Sequence, residues 1–301
     1  MKIFVTSDIH GNKALIYLIR RTIERENVDV LIVAGDVAPK AFYRLFGTGL
    51  RYNFYSPFPL RNKKAVLSGA AQEVEARLDL LGYVETPASG LNPTVFISKQ
   101  KEKLAEICEL LRGLDVPVYM LIGNDDHIVD EDWDGILDNY GIFSLNSRTH
   151  MLGDLKVTGF QYVPPTPWNT SNELPESELS QKLDNIRGQV DTNTVLVTHG
   201  PPMGILDVVT SGLHVGSESV LRLVKDKQPV FHVFGHIHEA SGNARIGSTI
   251  CCNASCMWTD WLFRGYLLDT EGPSIRKIEQ EISLEVMSSF AGGDMDCVRG
   301  A

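Results

Sequence analysis

Short apolar runs recur along the chain, each closed by glycine, asparagine, aspartate or histidine. Lys2 to Thr6, Val30 to Val33, Val118 to Ile122, Val195 to Val197 and Val230 to Phe234 are rich in β-branched and aromatic residues. Runs of that length beside turn-forming residues predict buried strands. Between the first two, Asn12 can cap a helix reaching about Arg25, with Leu15, Ile16, Leu18, Ile19 and Ile23 apolar. That is a βαβ unit and predicts a parallel start to a sheet. Further helices are predicted over 99–112, 175–188 and 217–225. Further strands are predicted near Ile142, over Leu155 to Phe160, near Thr249, over Leu262 to Asp269 and over 274–278. The acidic run Asp130, Glu131, Asp132, Asp134 predicts a solvated helix start, and the Pro-rich 163–167 a loop. The pattern as a whole is α/β.

Residues 40–95 interrupt this pattern. Phe42, Tyr43, Phe46, Tyr52, Phe54, Tyr55 and Phe58 crowd into one stretch with Gly47, Gly49, Pro57 and Pro59, and Arg44, Arg51, Arg61, Lys63 and Lys64 lie among them. Residues 63–81 have helical spacing, with Leu67, Ala71, Val74, Leu78 and Leu81 aligned. So many clustered aromatics pack against something: the insertion is expected to cap a site or to form a homo-oligomer interface. Residues 1–280 are expected to form one domain carrying this insertion, and the Gly- and Ser-rich 281–301 a C-terminal tail.

The bulk properties narrow the partners. The net charge is -10, which argues against nucleic acid as the main partner, Arg51 to Lys64 being the only basic cluster. No apolar stretch is long enough to span a membrane, and the chain starts directly in a strand, so a cytoplasmic, non-membrane protein is expected. Five cysteines are an odd number and do not suggest a disulfide framework. Cys251, Cys252 and Cys256 could form a metal knuckle, but reduced strand cysteines fit the pattern better.

Five short blocks bear the chemistry: Asp8-Ile9-His10, Gly35-Asp36, Gly123-Asn124-Asp125-Asp126, His199-Gly200 and Gly235-His236-Ile237-His238. Each follows a predicted strand or stands at its end. In an open α/β sheet, the crevice beyond the strand carboxyl ends is where ligands bind. The chain therefore delivers two Asp, one Asn and four His to one edge, a ligand set for two divalent metals of the Mn, Fe, Zn or Ni kind. His236 and His238 are two apart and can reach one cleft, and Asp36 could bridge two cations.

In these five blocks the chain resembles the calcineurin-like metallophosphoesterases, whose pattern is D-x-H, G-D, G-N-H-[DE], G-H or H-G, and G-H-x-H. The resemblance covers residues 1 to about 280 apart from the insertion. It implies a four-layer sandwich of two mixed β-sheets flanked by helices, with a dinuclear metal site at the carboxyl-end edge. It implies that Asp8, His10, Asp36 and His238 hold one metal and Asp36, Asn124, His199 and His236 the other, with manganese favoured. The third block departs from the family. It places Asp125 where the family has a histidine that contacts phosphate or leaving group. Asp125, or His127 two residues on, is the candidate for that catalytic place. His127 would otherwise be an exposed residue at a helix start, and Asp125 a helix cap.

The expected activity is a metal-dependent phosphoric ester hydrolase, a phosphodiesterase cleaving a small phosphodiester by attack of a metal-bridging hydroxide. Two alternatives share the fold: a nuclease on single-stranded nucleic acid, and a non-catalytic scaffold. The scaffold predicts broken ligands, whereas all seven positions are intact.

Overall fold

Strand β1 (Lys2–Thr6) sends Ile3 and Val5 to one side and Phe4 to the other, and both sides are buried. A strand read as an unbroken apolar run is thus a central strand with covered faces. The computed structural model describes residues 1–39, 93–257 and 262–282, together with the backbone of four short strands between 41 and 85. After β1 come α1 (Lys13–Glu26) and β2 (Val30–Val33), then the four short strands β3 (Ala41–Leu45), β4 (Arg51–Tyr55), β5 (Lys63–Ala65) and β6 (Val84–Glu85). The chain continues with α2 (Pro93–Leu111), β7 (Val118–Met120), α3 (Asp130–Asn139), β8 (Phe143–Ser144), β9 (Thr149–Leu152), β10 (Leu155–Phe160) and α4 (Glu176–Arg187). It closes with β11 (Thr194–Thr198), α5 (Glu218–Lys227), β12 (Phe231–Phe234), β13 (Gly242–Ile246), β14 (Thr249–Asn253), β15 (Leu262–Asp269) and β16 (Ser274–Glu281).

Two mixed six-stranded sheets result, ordered β16-β15-β1-β2-β7-β8 and β13-β14-β12-β11-β10-β9. Ile3, Val5, Ile32 and Tyr119 of the first meet Val157, Val195, Val197, Phe231, Val233 and Ile250 of the second in a shared apolar layer. On the outer face of the first sheet, Phe4, Leu31, Val33 and Met120 pack on Leu15, Ile19, Leu104, Ile107 and Trp133 of α1, α2 and α3. On the outer face of the second, Phe160, Leu196 and Phe234 pack on Leu179, Leu183, Val220 and Leu223 of α4 and α5. This is the four-layer sandwich, with helices outside both sheets. Each fully buried Val, Leu, Ile or Phe contributes about 1.5–3 kcal/mol over its exposed state. The helix ends follow local chemistry: Asn12 Oδ1 accepts from Ala14 N at 3.0 Å and Leu15 N at 3.3 Å, and Ser217 Oγ accepts from Val220 N at 3.2 Å.

Several expectations shift. Helix α2 begins at Pro93 rather than near 99: proline suits a first helical position, and Phe96 and Gln100 are buried. Lys63–Ala65 is a strand paired antiparallel with β4, not the start of a helix; the rest of that expected helix lies outside the described residues. So do the aromatic side chains of the insertion, its expected cap or interface role, and the tail. Strands β9 and β13 carry no apolar run. They are edge strands paired to β10 and β14, where one face is solvated and the pattern is weak. Cys108, Cys251, Cys252 and Cys256 are buried free thiols, and burial pushes Cys108 and Cys251 up to about 12. Among the described residues no cysteine joins a group able to hold a metal. No described helix is long and apolar enough to cross a membrane.

Candidate metal centre

Parallel pairing aligns the ends of the motif-bearing strands. Thr6 pairs with Val33 and Val33 with Met120, while Val197 pairs with Val233. The residues that follow, Asp8, Asp36 and Asn124 from one sheet and His199, His236 and His238 from the other, leave at the shared carboxyl edge.

There the side chains converge. His238 Nε2 lies 3.0 Å from Asp8 Oδ1, and the His236 amide donates to both Asp8 oxygens at 3.2 and 3.0 Å. His10 Nε2 is 3.6 Å from Asp36 Oδ2, and His199 Nε2 is 3.4 Å from Asp36 Oδ1. His199 Nε2 also lies 3.0 Å from Asn124 Oδ1. Asp36 therefore stands between two groups. Ligand atoms of Asp8, His10 and His238 lie within 4.8 Å of one another, and so do those of Asp36, His199 and His236. The seven positions singled out in the sequence are thus all at one edge.

The backbone is bent to achieve this. Asp8, His10, Asp36 and His236 have φ of 58°, 42°, 52° and 71°. Such a left-handed conformation in a non-glycine residue costs about 1–3 kcal/mol and clusters at functional sites. The turn needed to bring Asp8 and His10 together is made of these two residues themselves. The neighbouring glycines are steric necessities: a Cβ on Gly123 would strike the Asp36 carboxylate, and one on Gly235 would strike Ser7 Oγ and the Asp8 carboxylate.

The donor set fits divalent cations. It combines carboxylates, imidazoles and one amide oxygen, all buried or half-buried. Burial opposes a charged His199, yet the Asp36 and Asp8 carboxylates outweigh it and push the imidazole up to about 10. The carboxylates around His199 thus favour positive charge beside them. Desolvation, with His199 beside it, pushes half-buried His236 down to about 3, a neutral donor. His199 Nδ1–H donates to Ala34 O at 2.8 Å, which turns the Nε2 lone pair toward the site.

A second set of groups holds the first, and the sequence reading did not find it. Thr170, Ser171 and Asn172, in the loop after the Pro-rich stretch, contact two residues of the third block and His127 just beyond it. Asn124 Nδ2 donates to Thr170 Oγ1 at 2.7 Å, Ser171 Oγ lies 2.8 Å from His127 Nδ1, and Asn172 Nδ2 donates to Gly123 O at 3.0 Å. Thr170 Oγ1 in turn donates to the Glu173 carboxylate. The chain Glu173–Thr170–Asn124 fixes the amide so that Oδ1, not Nδ2, faces His199. Four short polar residues in a row, Asn169 to Asn172, were the available signal. Thr170→Val keeps the shape and removes this link. It is expected to weaken metal binding about tenfold, as read by chelator competition, with the melting temperature little changed.

Two buried side chains tie the second and third blocks. The Asp126 carboxylate accepts from Val37 N at 3.2 Å, Ala38 N at 2.7 Å and Gly123 N at 2.8 Å. Gln100 donates to Pro39 O and Asp125 O and accepts from His127 N. His127 is therefore buried, against Phe96 with ring centroids 5.7 Å apart, rather than an exposed helix-start residue. Helix α3 starts at Asp130, with Val129 at its cap and no side-chain cap bond, so Asp125 is not a helix cap. Its amide donates to Asp36 Oδ1 at 2.9 Å, and its carboxylate lies within 4.8 Å of ligand atoms of both His10 and Asp36.

The calcineurin-like phosphoesterase profile matches residues 1–240, and the chain belongs to that family. The family holds two divalent metals, and membership supports a metal-dependent phosphoester hydrolase. An uncharacterized protein of Methanocaldococcus jannaschii is 33% identical over 161 residues, covering 51% of this chain and 68% of that protein. Metallophosphoesterase domain-containing protein 1 of Homo sapiens is 39% identical over 128 residues, covering 39% of this chain and 38% of that protein. The chain thus spans well under half the length of this human relative. The solved structure of TT1561 of Thermus thermophilus superposes with a TM-score of 0.56 at 12% identity, over 92% of this chain and 97% of the other. The likeness is one of fold.

Proposed function

We propose that this protein is a dinuclear phosphodiesterase acting on a small phosphodiester. Residues 1–280 form the catalytic unit, Asp8, His10, Asp36 and His238 hold one metal, and Asp36, Asn124, His199 and His236 hold the other. The observation that carries the reading is the meeting of two ligand groups at one buried carboxylate, Asp36. When bound, two divalent cations, manganese in the first instance, supply the charge that polarises a phosphoryl oxygen and activates water. The chain's own part is orientation. Ala34 O sets the His199 tautomer, Thr170 sets the Asn124 amide, and Asp126 and Gln100 hold the two loops at fixed spacing.

Asp125 supports the choice of a diester. It puts a carboxylate beside Asp36 and His10 where the family has an imidazole, while His127 is engaged with Ser171 and Phe96. A phosphomonoester is close to dianionic at neutral pH and a diester carries one charge, so a third carboxylate disfavours the monoester more. With manganese added, turnover is expected on bis-p-nitrophenyl phosphate and 2′,3′-cyclic nucleotides, and much less on p-nitrophenyl phosphate. Asp125→His is expected to raise the monoesterase activity. Wild-type turnover on the monoester equal to or above that on the diester would sink the diester assignment.

A further inference from the structure

We infer that Asp125 is itself a ligand of the metal held by Asp8, His10, Asp36 and His238, giving that ion a third carboxylate. The inference rests on the metal centre proposed above and adds to it a donor that the family pattern lacks. A carboxylate oxygen of Asp125, a ring nitrogen of His10 and a carboxylate oxygen of Asp36 lie within 4.8 Å of one another. Three donors bound to one ion at about 2.0–2.2 Å lie at most roughly 3.8 Å from one another, so these atoms need to close by no more than about 1 Å. The backbone is fixed in this position by independent bonds. The Asp125 amide donates to Asp36 Oδ1 at 2.9 Å, and the Asp125 carbonyl accepts from Gln100 Nε2 at 2.8 Å. The residue on its C-terminal side, Asp126, is anchored by three backbone amides. The start of the side chain is thereby pinned beside Asp36, on the side where His10 stands.

The chemistry follows from charge. Two dications against Asp8 and Asp36 leave two units of positive charge for the substrate, and a third carboxylate leaves one. Added ligand charge tightens the hold on hard cations, and an oxygen donor in place of nitrogen shifts preference toward manganese and away from zinc. Asp125 thus trades affinity for phosphate against affinity for metal. A carboxylate turned to the substrate would act on both ions through space and would not distinguish manganese from zinc.

Chelator competition with the full chain, for manganese and for zinc separately, tests this without any substrate. Wild type is expected to bind two ions. Asp125→Asn, nearly isosteric, and Asp125→His are each expected to keep one ion at unchanged affinity. The other manganese should weaken about tenfold or more in Asp125→Asn, and the corresponding zinc by less. Circular dichroism and melting temperature check that both variants are folded. Two ions bound equally tightly by wild type and Asp125→Asn would overturn the inference and leave the metal centre standing, as would a variant that changes only KM for a phosphoester. Wild type that takes up no ion would overturn both.

Discussion

A chain carrying Asp36→Asn is expected to fold and to hydrolyse neither phosphodiester nor phosphomonoester. The asparagine has the volume of the aspartate, and its Oδ1 continues to accept from the Asp125 amide, a bond of 2.9 Å in the native chain. What is lost is one negative charge at the point where His10 and His199 both approach. One charge pair about 4 Å apart, at an effective dielectric near 20, is worth about 4 kcal/mol, or roughly a thousandfold in rate. Steady-state turnover on bis-p-nitrophenyl phosphate with manganese, alongside circular dichroism, measures both halves of the expectation. Turnover within about tenfold of wild type in a folded variant would remove Asp36 from its central place.

Asp126→Ala is expected to produce the largest loss of stability among the residues around the site. Asp126 is fully buried, and alanine would leave the amides of Val37, Ala38 and Gly123 without their acceptor. Each buried donor left unsatisfied costs about 1–3 kcal/mol, so about 3 kcal/mol or more is expected in total. Urea unfolding should show a lower midpoint with an unchanged slope. A midpoint within experimental scatter of wild type would mean that water replaces the carboxylate and that the two loops do not depend on it. The group is also pushed up to about 7, by burial and by the charge of Asp36. It stands close enough to the centre for its loss to alter both folding and site geometry.

What was legible in the sequence is what repeats or alternates. Central strands such as Val30–Val33 and Thr194–Thr198 are apolar on both faces, and a motif directly after each gave the edge on which the site lies. Of the edge strands, β9 and β13 were invisible because Thr149–Leu152 and Gly242–Ile246 have one solvated face and no apolar run. The left-handed backbone at Asp8, His10, Asp36 and His236 left only a faint trace: Asp and His are enriched at φ > 0, but most of them in any chain adopt ordinary backbone. The supporting residues Gln100 and Thr170 act through single hydrogen bonds between segments far apart in the chain. Such pairs have no local spacing to recognise. His127 was misjudged for a related reason: its partners, Ser171 and Gln100, come from two other segments.

Asp8 and His236 touch although 228 positions separate them. During synthesis, therefore, no growing chain has a complete centre until its last motif has emerged and the second sheet has docked on the first. Ions met earlier find only isolated pairs of donors, which by affinity alone would favour copper or zinc over manganese. The finished scaffold, with its loops already held by Asp126 and Gln100, presents all its donors at once and at set distances. At the proposed centre, selection of the ion would then be made by shape, after folding, rather than by whichever cation first reaches a histidine.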